Sequence, residues 1–188
     1  MSGSSRSIAA PLKNVMIGCN PNPTFREGWS SKSGRAFNVM DEPPYDKHSD
    51  WSIASNKYRI KRGTVGWMHL FNGADGHLVG LLIFSGKPRE VGETNIRTGE
   101  QFEIIYGPGS LWRMPQEWWV PGRRIQAHPE WSDAAPYTSR KVKRFANGMA
   151  LAESDAAVLR NFLHRDAQGW LRDAVERAER GKYPPEPP

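Results

Sequence analysis

The stretch VGWMHLFNGADGHLVGLLIF, residues 65–84, constrains the fold more than any other part of the sequence. Two apolar runs of β type flank NGADG, residues 72–76, and Asn, Asp and Gly are the residues that turn a chain back at positive φ. The pattern predicts a β-hairpin across residues 72–76. Neighbouring segments extend it into a sheet. Tyr58 and Ile60 alternate with Arg59 and Lys61, the pattern of a half-buried strand. EQFEIIYG, residues 100–107, reads as another strand. Pro108 and Gly109 then predict a turn into SLWRM, where alternation puts Leu111 and Arg113 on one face and Trp112 and Met114 on the other. Upstream, Val15 to Ile17 reads as a short strand stopped by the Asn-Pro-Asn-Pro run from Asn20. Residues 26–50 are dense in Gly, Ser, Pro and charge and read as a long loop, a candidate binding loop.

From Ser154 the period changes. Leu159, Phe162, Leu163, Trp170, Leu171 and Val175 recur at spacings of a helical face. Ser154 and Asp155 are candidate N-caps and Gly181 a stop, while Gly169 is a point where the helix breaks or weakens. The expected fold is α+β: a mostly antiparallel central sheet or partial barrel over about residues 52–126, and a C-terminal helical segment over about 154–180 packed on it. A single domain is expected over residues 13–182, between a flexible Ser-rich tail, 1–12, and a Pro-rich tail, 183–188, that frays.

Twenty-six Lys and Arg against 20 Asp and Glu leave a net charge of +6, which favours anionic partners. The lone Cys19 excludes an intramolecular disulfide and a Cys-rich zinc site. Cys19 is either a nucleophile awaiting a base or a small buried hydrophobe. The five histidines lack the i, i+4 spacing of zinc hydrolases, so no metal is expected; His69 and His77 sit on opposite arms of the hairpin, where they could face each other. No segment approaches the ~20 apolar residues of a membrane span. The N-terminus lacks the apolar run of a signal peptide, and the expected location is the cytoplasm.

The densest aromatic and cationic stretch is GSLWRMPQEWWVPGRR, residues 109–124. A basic run, RKVKR, follows at residues 140–144. Arginine and lysine neutralise phosphates, and exposed tryptophan faces stack unpaired bases. The first expectation is therefore a nucleic-acid-associated protein, binding DNA or RNA. Arg113, Arg123, Arg124, Arg140, Lys141, Lys143 and Arg144 would contact phosphate, and Trp118 and Trp119 would stack. The competing reading makes Trp112, Trp118 and Trp119 core packing and the arginines a solvated rim. Adjacent Trp118 and Trp119 cannot both enter a core from an extended chain, so at least one is expected at a loop, a partner or solvent. A further expectation is an interaction module whose Trp-rich surface binds another protein.

One segment carries a family likeness. EQFEIIYGPGSLWRM places Gln101 two residues before Glu103, ahead of an apolar pair and a Pro-Gly-Ser element. This resembles the Gln/Glu-x-Glu strand of mono-ADP-ribosyltransferases. The resemblance implies NAD as cofactor, Glu103 against the nicotinamide ribose, Arg59 as the NAD-binding arginine and Ser85 in the place of the family's serine. The apolar hairpin is similar to the central strands of GNAT-type acyltransferases, without their Gly-rich acyl-CoA loop.

Overall fold

The computed structural model of the protein describes residues 10–19, 43–53, 55–72, 75–94, 99, 101–132 and 148–188. The strands are β1 (Asn14–Cys19), β2 (Tyr45–Ser52), β3 (Val65–Asn72), β4 (Asp75–Phe84), β5 (Arg89–Thr94), β6 (Gln101–Arg113), β7 (Val120–Pro121) and β8 (Met149–Ala150). They form one sheet in the order β2-β6-β4-β3-β1-β8, with β5 paired to β6 and β7 to β4. β1 runs parallel to β3; the remaining pairs are antiparallel. Among the described residues there are three α-helices, α1 (Gly122–Gln126), α2 (Glu153–Phe162) and α3 (Arg165–Glu179). The α+β expectation holds, and the predicted hairpin is β3–β4, paired down to Asn72 opposite Asp75. None of the described helices is long and apolar enough to cross a membrane.

Both faces of the central strands are buried. One face packs under the helices through Met16, Trp67, Leu81, Ile83 and Trp112 against Leu159, Trp170, Leu171 and Ala174. The other gathers Val15, Ile17, Met68, Leu82, Phe84 and Leu111 with Trp51, Ile53 and Ile60. Trp51 and Ile53 come from the end of β2 and the chain just after it, far from β1 in strand order. Their shared core with Val15 and Ile17 requires the sheet to curl, and Asn56 Nδ2 donates to the Gly148 carbonyl, which precedes β8, at 3.0 Å across the gap. Alternation along β6 is as expected: Leu111 lies on the curled face, Trp112 and Met114 on the helix face. A bulge between Met68 and His69 inserts a residue into β4, so Leu78 and Leu81 both reach the helix face.

Local structure departs from the sequence expectations in five places. The end of the segment read as a long loop, residues 45–50, belongs to strand β2, while most of that segment lies outside the described residues. Residues 57–59 are a turn rather than a strand, and Tyr58 is 86 % exposed. Asn56 adopts φ 54°, and the Arg59 N–H donates to the Asn56 carbonyl at 2.9 Å, so Arg59 lies off the sheet. Pro108 and Gly109 make no turn: β6 continues through them, beside a register shift in its pairing with β2. Proline is tolerated next to such an irregularity, and Gly107 lets the Phe84 ring press against the backbone where any Cβ would collide. The helical segment breaks at Leu163 and His164 rather than at Gly169, because His164 caps α3 by accepting from the Asp166 N–H. Asp155 is no cap; its buried carboxylate accepts from the Ser132 N–H at 2.7 Å. Gly181 ends α3 at φ 75°, as expected of a helix stop.

His69 and His77 do not face each other, since His69 pairs with Leu78 and His77 with Leu70. Burial pushes the His69 imidazole down to about 3, so it is neutral in the folded protein. The unfolded chain takes up that proton below about pH 6.5 and the folded chain does not, so stability falls as pH drops through this window. Chemical denaturation at pH 7 and pH 5 should show a loss of about 2 kcal/mol from this residue. His69→Gln should lower stability at both pH values and remove that part of the difference.

Candidate functional site

The tryptophan-rich stretch is divided among four elements. β6 carries Trp112 and Arg113, a single 3-10 turn spans Gln116–Trp118, β7 follows, and α1 carries Arg123 and Arg124. Pro115 opens the turn with φ −51° and Pro121 opens α1 with φ −60°, both close to the angle the proline ring imposes. β6 and β7 both run antiparallel to β4, so β7 resumes the direction of β6, and the turn between them leaves Trp118 and Trp119 packed against the helix-side core.

Trp112 is buried and forms the hub of an aromatic chain. Its ring meets Trp170 of α3 at a centroid distance of 4.8 Å and Trp118 at 6.2 Å, the latter at 85°. Trp170 meets Tyr45 of β2 edge-on at 6.5 Å. Trp118 lies parallel to His164 at 4.0 Å. Such edge-on and stacked arrangements suit the ring quadrupole. Trp119 is also half-buried: its Nε1 donates to the Met114 carbonyl at 2.9 Å and its ring lies 6.3 Å from that of His77.

Trp118 and Trp119 therefore form neither a deep core nor a bare stacking platform. Both pack at the margin of the helix-side core, and one face of Trp118 is taken by His164. Arg123 and Arg124 are exposed on α1, with Arg124 5.4 Å from the Phe162 ring. Arg113 is half-buried on the opposite side of the stretch, and its backbone N–H donates to Pro44. Arg140, Lys141, Lys143 and Arg144 lie outside the described residues. Arg59 donates through Nε to the Ala10 carbonyl, and Gln101 and Glu103 are exposed on the outer arm of β6, paired with β5.

What converges instead is a cleft of about 400 Å³. Tyr45, Trp112, Arg113, Met114, Gln116 and Trp119 line it, and Glu186, Pro187 and Pro188 form part of its wall. The Pro-rich tail, expected to fray, is docked here. Tyr45 donates its hydroxyl to the Pro184 carbonyl at 3.2 Å, and Trp170 donates Nε1 to the Pro185 carbonyl at 2.9 Å. Arg177 donates Nε to the Tyr183 carbonyl at 2.8 Å, while the Tyr183 ring meets His48 edge-on at 4.9 Å. Burial holds the Tyr45 phenol above its usual range, so it remains protonated and able to donate.

A second cleft, of about 520 Å³, lies between α2, α3 and the start of β1. Its polar wall is a network in which Asn14 donates to Glu153 at 2.8 Å and accepts from Trp67 Nε1 at 3.0 Å, and Glu153 also pairs with Arg160. Neither cleft includes Arg59, Gln101 or Glu103.

Tyr45, Trp170 and the tail escaped the sequence reading. Trp170 was absorbed by the helical period, Tyr45 by a loop-like stretch, and six residues rich in proline read as an unpacked end. The available signal was the spacing of Pro184 with Pro187 and Pro185 with Pro188, one turn of an extended proline helix.

Comparison with known protein families, with curated proteins and with solved structures found no match for this chain.

The aromatic chain ranks its members by burial. Trp112→Ala should cost about 3–5 kcal/mol in chemical denaturation, as for a large aromatic removed from a core. Trp118→Ala should cost less than half as much, because the ring is only half-buried. Equal costs would place Trp118 in the core proper.

Proposed function

We propose that the chain is a cytoplasmic interaction module whose aromatic cleft binds an extended polypeptide segment of a partner protein. One observation carries this reading: Tyr45 and Trp170 donate to the backbone carbonyls of two successive residues of a docked chain segment. Aromatic rings with a polar tip combine a large apolar contact with a directed hydrogen bond, which is why Tyr and Trp anchor protein interfaces. Recognition through carbonyls needs no particular side chain on the partner, so the cleft has the chemistry of a main-chain reader. The cytoplasmic location is supported by the single cysteine, since a chain with one thiol draws no stability from internal disulfides.

Peptides selected from a display library on the full-length chain test this. Their affinity should fall ~10-fold on Tyr45→Phe, the worth of one well-placed hydrogen bond. They should also shift the indole N–H resonance of Trp170. Selected peptides indifferent to both residues would refute the assignment of the cleft.

A second reading keeps nucleic acid as a partner. It is supported by the charge: +6 overall, with four cations in the run Arg140, Lys141, Lys143 and Arg144, and with Arg123 and Arg124 exposed on α1. With His164 on one face of Trp118, the interaction would be chiefly electrostatic. Anisotropy with a fluorescent oligonucleotide should show log affinity falling linearly with log salt. Replacing the four cations of residues 140–144 with alanine should reduce that slope by up to ~4, about one per phosphate contact. Absence of binding at low salt would eliminate this reading.

A further inference from the structure

We propose that the Tyr45–Trp112–Trp170 groove is selective for proline-rich segments, and that residues 183–188 are a resident latch that a proline-rich partner displaces. This rests on the polypeptide-binding reading above and adds to it the class of partner and a means of control.

The first argument is the match of donors to acceptors. Proline has no N–H, so a proline-rich segment offers carbonyls but few donors. The groove is built to suit. Three consecutive carbonyls, of Tyr183, Pro184 and Pro185, receive hydrogen bonds from Arg177, Tyr45 and Trp170. The indole and guanidinium groups are donors only, and the Tyr45 hydroxyl donates here to the Pro184 carbonyl. A sheet edge would demand donors and acceptors in alternation. All three hydrogen bonds observed here call for an acceptor on the bound segment, and a run of prolines supplies acceptors.

The second argument is shape. YPPEPP contains four prolines in six residues, and each proline fixes its own φ and pushes the residue before it into extended backbone. The resulting left-handed helix has three residues per turn. Residues three apart then share an edge. Pro184 is buried and Pro187 half-buried, while Glu186 is exposed. Flat aromatic faces hold such ridges, and the low entropy of a stiff segment favours its capture. Beside Glu186, Pro187 and Pro188 the cleft still holds about 400 Å³ of unfilled space, walled by Arg113, Met114, Gln116 and Trp119. The groove therefore extends past the part of the tail that is hydrogen-bonded.

The third argument concerns reversibility. A tethered segment competes at an effective concentration near millimolar. A partner bearing the same chemistry must outcompete the latch, and its apparent affinity is reduced by the fraction of grooves that the latch leaves open.

The test uses the full-length chain, a full-length variant carrying Pro184→Ala, Pro185→Ala and Pro187→Ala, and two synthetic peptides. One peptide has the sequence YPPEPP; the other replaces each of its prolines with alanine. Binding is read from the Trp170 indole resonance. The proline peptide should bind the variant ~10-fold or more tightly than it binds the native chain. The alanine peptide should bind both at least ~10-fold more weakly. If the variant unfolds, the native chain alone still decides the question: millimolar proline peptide should shift the Trp170 indole and the alanine peptide should not. Equal affinity of the proline peptide for variant and native chain would overturn the latch. Equal affinity for the two peptides would overturn proline selectivity while leaving the polypeptide-binding reading in place. Failure of both peptides to bind the native chain and the variant alike, with display-selected peptides still reading Tyr45, would also overturn the inference alone. Failure of every peptide would overturn both.

Discussion

From Leu78 onward, strand β4 has no solvent face. Every residue from Leu78 to Phe84 is buried, because α2 and α3 cover one side of the sheet and the curl of the sheet covers the other. This constraint reaches outward through its neighbours. β4 pairs with β3 on one edge and with β6 on the other, so it sets the register of both. At Gly80 the backbone of β6 comes so near that a Cβ would lie 2.5 Å from the Trp112 carbonyl oxygen. Glycine is required there by the approach of another strand, and that approach delivers the Trp112 ring to the helix face.

From Trp112 the dependence becomes aromatic. Trp112 orients Trp170, Trp170 meets Tyr45, and these last two hold the Pro-rich tail. A segment that belongs to no sheet or helix is thereby tied to the deepest core through three rings. The arrangement unites β2, β6, α3 and residues 183–188, whose members are up to 143 positions apart. The same hub supports Trp118 on its other side, where His164 serves both as the ring that stacks on it and as the cap of α3. Stacking and capping share one residue because the kink between α2 and α3 falls directly over the tryptophan stretch.

Much of the framework was legible in the residues. The apolar arms around residues 72–76, the alternation of Leu111 with Trp112, and the helical period from Leu159 to Val175 each reflect a choice of faces made locally. The errors were also local, at Tyr58, Pro108, Asp155 and the helix break. There the tertiary setting overrode propensity: a register shift absorbed Pro108, and a carboxylate that resembled a cap found the Ser132 backbone instead. The cleft was illegible for a different reason. Its parts look ordinary in their own segments, and only long-range packing gives them a common purpose.

The sequence alone determined the material: a sheet built on one apolar hairpin, a helical C-terminal segment, a basic balance of charge, and a tail too rich in proline to be helix or sheet. These follow from side-chain period, charge and backbone permission, which act within a few residues. The tertiary structure decided that β6 runs straight through Pro108 and that Trp118 stacks on His164. It also decided that the tail meets three side-chain donors rather than water. Those outcomes depend on where distant segments come to rest. A proline-rich segment carries carbonyls that must find their donors outside the segment; only the packing of β2 and α3 places an indole, a phenol and a guanidinium where those carbonyls arrive.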